Sequence, residues 1–123
     1  MTRRLRSMKV SDSFRDFVLD QISDIPRVTA RAMFGGIGLY AGDVFFGILA
    51  ADVLYFKVDD SNRPDYEGHG SRPFKPYDDR PMTMSYYNVP AGILENASEL
   101  ATWARRSISI ARAAAAKART KAR

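Results

Sequence analysis

The residues able to do chemistry in this chain are few, and their spacing excludes more than it suggests. Cysteine is absent and His69 is the single histidine. That removes disulfides, thiolate nucleophiles, cysteine-based zinc or iron–sulfur sites and any cluster of histidine ligands. A metal would have to be held by oxygen alone. The acids that could do so, Asp59, Asp60, Asp65 and Glu67, do not follow the Asp-x-Asp-x-Asp-Gly spacing of a calcium loop and read as a solvated loop and short helix. No carboxylate pair is fixed by spacing, so an enzyme has the least support, and no catalytic residue, metal or cofactor is expected.

Three other groups of residues invite a functional reading. Phe34-Gly35-Gly36-Ile37-Gly38 resembles a phosphate cradle, but no Lys-Ser/Thr follows it and no helix opens after it. The Walker loop and the dinucleotide fingerprint therefore both fail, and a hairpin or bulge where only glycine fits is favoured. Lys57 is either a neighbour that neutralises Asp59 or Asp60, the favoured reading, or a cation in a groove with Tyr55, Tyr86 and Tyr87 that could take an anionic ligand. Tyr86 and Tyr87 must point to opposite faces of a strand, so one ring is a surface or groove candidate. Trp103 falls in a helical apolar stripe and reads as a core anchor packed on a sheet rather than a ligand platform.

The element that must position these residues is Met33 to Val58. It is too densely apolar, and too regularly punctuated, for a long helix, and reads as an antiparallel meander with strands at 36–41, 44–51 and 53–58. Ala41-Gly42-Asp43 supplies a tight turn with a positive-φ glycine, and Ala51-Asp52 a weaker one. In the middle strand, strict alternation puts Val44, Phe46, Ile48 and Ala50 on one face and Phe45, Gly47, Leu49 and Ala51 on the other. Leu54, Phe56 and Val58 share the face expected to meet helices.

Around this meander the sequence predicts a helix over 12–24 with Ser11 or Ser13 as cap and Phe14, Phe17, Val18, Gln21, Ile22 and Ile25 as its stripe. A strand over 27–34 follows. A short helix near 61–68, an irregular proline-rich loop over 71–81, a strand over 82–89 and a turn of helix over 90–95 come after the meander. Asn96 and Glu99 open a last amphipathic helix, which loses its apolar stripe after Ala111 and is expected to fray.

The net charge of +5 on 123 residues resembles a nucleic-acid signal until it is divided along the chain. Residues 1–9 carry four Arg or Lys and residues 105–123 carry seven, so the ends hold 11 of the 19 cations and none of the 14 acids. Residues 10–104 then have 8 cations against 14 acids, net −6. An acidic body argues against a phosphate groove on the domain itself, and leaves weak, non-specific nucleic-acid binding to the basic ends. The organisation expected is a basic arm over 1–10, one domain over 11–112 and a basic, alanine-rich helical extension over 113–123. No apolar run approaches a membrane span and no leader is visible, so no membrane partner and a cytoplasmic location are expected.

MFGGIGLYAGDVFFGILAADVLYFKVDD, RPDYEGHGSRPF, MSYYNVP and ELATWARRSI resemble the N-terminal domain of the TfoX/Sxy family across residues 11–112. Phe34-Gly35-Gly36, Leu54-Tyr55-Phe56-Lys57 and Tyr86-Tyr87 with Val89-Pro90 carry the resemblance most specifically. It implies an α+β, two-layer, secretion-chaperone-like fold with about five antiparallel strands packed against helices in the order α-β-β-β-β-α-β-α. It also implies a role in regulating DNA-uptake (competence) genes. Full-length regulators carry a further C-terminal domain, so the chain is read as the N-terminal domain standing alone. The family offers no catalytic residues, and what it marks in Phe34, Gly35, Gly36, Gly38 and Trp103 looks structural. The function expected is a non-enzymatic regulatory domain that binds another protein, either transcription machinery or a second copy of itself as a homodimer. The alternatives are a nucleic-acid-associated protein and a small-ligand-binding module.

Overall fold

Apolar residues punctuated by turns fold here as a sheet with all its helices on one side. The computed structural model describes residues 7–33, 35–76 and 84–121. In chain order these form α1 (Asp12–Gln21), β1 (Val28–Met33), β2 (Gly36–Ala41), β3 (Val44–Ala50), β4 (Val53–Lys57), α2 (Arg63–Gly68), β5 (Pro73–Phe74), β6 (Met84–Asn88), α3 (Ala91–Leu94) and α4 (Ala97–Lys121). Phe34, residues 77–81 of the proline-rich loop, 82–83 of the strand after it, 1–6 of the basic arm and 122–123 of the extension lie outside the described residues.

The sheet is antiparallel throughout and its strand order is β1-β2-β3-β4-β6-β5. It has six strands rather than the expected five, because Pro73–Phe74 pairs with β6 inside the stretch read as an irregular loop. Two hydrogen bonds hold that strand in place. The Arg72 N–H donates to Asn88 Oδ1 at 2.7 Å, and the Asn88 N–H donates to the Arg72 carbonyl at 3.2 Å. A strand of two residues carries no periodicity, so the sequence shows no sign of it.

Strict alternation fails in β3. The β2–β3 register runs Leu39↔Gly47 and then Tyr40↔Phe45, which leaves Phe46 as an extra residue, a β-bulge. The bulge puts Val44, Phe46 and Leu49 on the helix side, while Phe45, Ile48 and Ala50 face the other way. Gly47 permits this, since a Cβ there would lie 3.2 Å from both Leu39 Cδ1 and the Tyr55 carbonyl oxygen.

The helix-side core joins Val18 of α1 and Ile22 just after it, Leu39, Phe46, Leu49, Leu54 and Phe56 of the sheet, Tyr66 of α2, and Leu100, Ala104 and Ile108 of α4. Ser11 caps α1, accepting from the Phe14 N–H at 3.2 Å. The helix ends at Gln21 rather than near residue 24, because Ser23 bonds back to Asp20 and Ile25 to Ile22, tight turns that carry Ile25 into the core. Phe17, placed in the buried stripe by its spacing, is 41% exposed. Asn96 opens α4 as expected, its side chain accepting from the Glu99 N–H at 3.1 Å. Past Ala111, α4 stays helical to Lys121 as the expected helical extension, in keeping with the helix propensity of alanine.

Both hairpin turns need left-handed backbone. Gly42 supplies it at φ 63 in the β2–β3 turn, whereas the β3–β4 turn uses Ala51 (φ 51) and Asp52 (φ 58). A non-glycine residue in that region is strained. The segment before α1 offsets the strain: the Ser11 N–H donates to Asp52 Oδ1 at 2.7 Å, and the Ala51 N–H donates to the Met8 carbonyl at 3.3 Å.

Candidate functional site

The sheet face turned away from the helices gathers most of the residues singled out from the sequence. Directly opposed residues of an antiparallel pair share a face. The register Lys57↔Tyr86, with Tyr55 two residues before Lys57, therefore brings Tyr55, Lys57 and Tyr86 together. Tyr87 is opposite Phe56 and belongs to the helix side, where its ring stands 6.2 Å from that of Tyr66. The expected four-residue groove thus contains three of its members. Lys57 stands beside Tyr86 rather than Tyr87.

These residues extend into a ladder across the sheet. The rings of Tyr40 and Phe45 are 5.3 Å apart and those of Phe45 and Tyr86 5.1 Å, while Tyr55 meets Phe74 edge-on at 4.9 Å. A cation closes each end: the Arg31 guanidinium lies 4.4 Å from the Tyr40 ring centre, and Lys57 Nζ lies 5.2 Å from that of Tyr86. Such contacts stabilise a cation over a ring by about 0.5–1 kcal/mol when exposed. Tyr86 is buried, and loss of water raises its phenol pKa, with the nearby Tyr40 adding to the effect. Arg31, Tyr40 and Phe45 were missed in the sequence because only the register and the bulge bring them into line.

Glycines shape this face sterically. Gly36 and Gly38 are strand residues without positive φ, unlike Gly35 at φ 82. A Cβ on Gly36 would lie 2.5 Å from the Leu49 carbonyl oxygen and 3.2 Å from that of Met8. Glycine there lets the segment before α1 cross the sheet. On Gly38 a Cβ would meet the flexible end of Met33 at 2.8 Å.

Trp103 packs against the helix-side core and also meets α2. Its half-buried ring meets Tyr66 at 4.6 Å and His69 at 5.7 Å, both edge-on. It lines a cleft of about 190 Å³ with Asn62, Asp65, Tyr66, Thr102 and Arg106. Behind the cleft, buried polar groups tie α2 and α4 to the end of β4. The Ser107 hydroxyl donates to the Lys57 carbonyl at 2.7 Å and Asn62 Nδ2 to the same oxygen at 3.3 Å, while Asn62 Oδ1 accepts from the Asp59 N–H at 2.8 Å. The Tyr66 hydroxyl is buried without a hydrogen-bond partner among the described residues, and desolvation raises its pKa.

The acids near α2 act singly. Asp59 accepts from the Ser61 hydroxyl and N–H, and the hydroxyl bond is the main cause of its lowered pKa. Asp60 pairs with Arg63, and the Asp65 carbonyl contacts His69 Nδ1 at 2.9 Å. Among the described residues no three His, Cys, Asp or Glu side chains come together as a metal site. No described helix is long and apolar enough to cross a membrane.

One further surface is defined by what fails to cover it. Among the described residues β1 pairs only with β2, and no described strand covers the backbone N–H and C=O groups of its outer edge. Thr29, Ala30, Arg31 and Ala32 are exposed although they alternate between the two faces. The pattern Val28, Ala30, Ala32 appears in the sequence, but nothing in it shows that the helices stop short of this strand.

Residues 20–111 match the model of the TfoX N-terminal domain family. The match spans most of the chain and ends at Ala111, where the buried stripe of α4 ends. The chain belongs to this family. No curated protein matches it.

Proposed function

We propose that this domain is a non-enzymatic protein-interaction module of a TfoX-type regulator of DNA-uptake genes, and that it acts in the cytoplasm by accepting an extended strand of its partner on the edge of β1. The single observation behind this reading is the uncovered state of β1, six residues long with both faces exposed. An edge of that length is a template for strand addition unless a bulge, proline or helix blunts it. β1 contains no proline and its register with β2 is unbroken. The partner is either a component of the transcription machinery or a second copy, whose β1 could pair antiparallel with this one about a twofold axis.

The test introduces charge where the edge would be covered. Ala30→Lys with Ala32→Lys alters two exposed side chains, so the fold should persist, as circular dichroism would verify. Self-association by sedimentation, and capture of transcription components by the tagged chain, should both fall. Equal association by a folded double variant would end the edge reading.

A further inference from the structure

We infer that one row of α4, formed by Arg105, Ser109, Arg112, Ala116 and Arg119, is a docking surface for the phosphate backbone of duplex nucleic acid. The spacings of four, three, four and three residues place these positions within one narrow stripe of a helix with 3.6 residues per turn. All five are exposed. At about 1.5 Å of rise per residue, successive arginines stand roughly 10 Å apart along the axis. The row continues from the packed half of α4 onto the part beyond Ala111, which buries no apolar stripe.

A second observation favours an anion there. Beside the row lies a cleft of about 340 Å³, with Arg105, Ser109 and Arg112 on one wall and Ile25, Pro26 and Ala41 on the other. Two guanidiniums and a hydroxyl line it, and no carboxylate does. The neighbouring row is different: Arg106 shares a cleft with Asp65, and Lys117 shares one with Asp59 and Asp60. The ion pairs among the described residues use none of the three arginines in the row.

The chemistry favours a phosphate backbone over a protein. Protein interfaces rest on a few large apolar or aromatic anchors, and this row offers only alanine and serine between its arginines. The same lack of aromatic rings removes the stacking platform that single strands require. What is left is a line of bidentate donors suited to phosphate oxygens, which implies weak binding without sequence preference. The net −6 of residues 10–104 is not drawn from the lining of this cleft, and Asp59, Asp60 and Asp65 lie beside the neighbouring row.

Fluorescence anisotropy of the full chain with a labelled duplex of arbitrary sequence, at 50 and 200 mM salt, tests the inference. Three released counterions correspond to a slope of about −2.7 in log K against log salt, a roughly 40-fold loss of affinity over that range. Arg105→Gln, Arg112→Gln and Arg119→Gln together should remove nearly all of that dependence. The corresponding triple lysine variant should retain it, and Arg15→Gln with Arg72→Gln should leave it unchanged. A salt slope that persists in the glutamine variant would overturn the inference. So would tighter binding of poly-glutamate than of the duplex, which would assign the row to an acidic protein segment.

Discussion

The two faces of one sheet are built from different materials. The helix side is closed by Leu39, Phe46, Leu49, Leu54 and Phe56 against α1 and α4, and every one of these side chains is fully buried. No described helix joins the cluster on the opposite side. That side is closed by its own aromatic rings, by Met8 and Phe74, and by Arg31 and Lys57 at the ends of the ring ladder. Burial by another layer favours apolar groups, because each polar atom needs a partner there, as Ser107 and Asn62 find in the Lys57 carbonyl. A face closed by rings and chain segments can keep its cations at the rim, half in water. The difference locates stability on one side, and leaves charge and free backbone on the other side and along β1.

The most severe way to break this division is to empty the helix-side core. Phe56→Ala, at a position with 0% exposure, should cost about 3–5 kcal/mol, read by urea denaturation. Tyr55→Ala, one residue earlier on the opposite face, should cost clearly less. Equal losses would show that the two faces are equivalent cores. Next in size is Gly36→Ala, expected to cost about 1–3 kcal/mol by overpacking. The added carbon would press on the carbonyl oxygens of Leu49 and Met8, and backbone cannot swing aside as a side chain can. Gly38→Ala, which meets side chains only, the end of Met33 and the rings of Phe45 and Tyr40, is the milder control. A smaller loss at Gly36 than at Gly38 would sink the steric account.

The helix side could be read in the sequence because it obeys simple periods. Leu54, Phe56 and Val58 alternate, and Leu100, Ala104, Ile108 and Ala111 repeat at helical spacing; all are buried as those periods require. The other side escaped for a physical reason. β3 is apolar on both faces, so sliding its phase by one residue buries no polar group, and its sequence cannot fix which residues point where. The bulge at Phe46 went unseen, and with it the alignment of Phe45 with Tyr40 and Tyr86. Tyr55, Lys57 and Tyr86 were found because β4 and β6 alternate cleanly. Tyr87 was grouped with them because adjacency in sequence was weighed above the strand alternation that separates it from Tyr86. Trp103 kept its place in the stripe, but its ring also meets α2, which no period predicts.

Alkaline pH should probe both faces through their buried phenols, with a smaller effect than either substitution. Burial raises the pKa of Tyr66 on the helix side and of Tyr86 on the other, above the ordinary 10.0. An unfolded tyrosine releases its proton above about pH 10 while the folded ring holds it. The unfolded state therefore binds fewer protons there, and stability is full below that pH and falls as the pH rises past it. At pH 11, one unit above the unfolded value, the loss should be at most about 1.4 kcal/mol for each. Denaturation followed from pH 8 to 11 should steepen past 10. Tyr66→Phe and Tyr86→Phe should each remove part of that slope, and a slope unchanged in both would assign alkaline unfolding to other groups.

The smallest effect concerns Lys57, and it sharpens the comparison most, because this cation is either part of how the second face closes or held there for something else. Its ammonium stands 5.2 Å from the Tyr86 ring centre, opposite it in the strand register. Asp60 is paired with Arg63, so neutralising that acid does not require Lys57. If the ring contact is what places the lysine, Lys57→Met, which keeps the apolar stem and removes the charge, should cost about 0.5 kcal/mol. The loss should disappear when Tyr86 is already leucine. A double-mutant cycle by urea denaturation measures that coupling directly. Coupling near 0.5 kcal/mol makes Lys57 a structural rim of the aromatic face. A cycle that closes at zero means the charge gains nothing from the ring, and Lys57 then joins the exposed backbone of β1 as a group the fold presents to a partner.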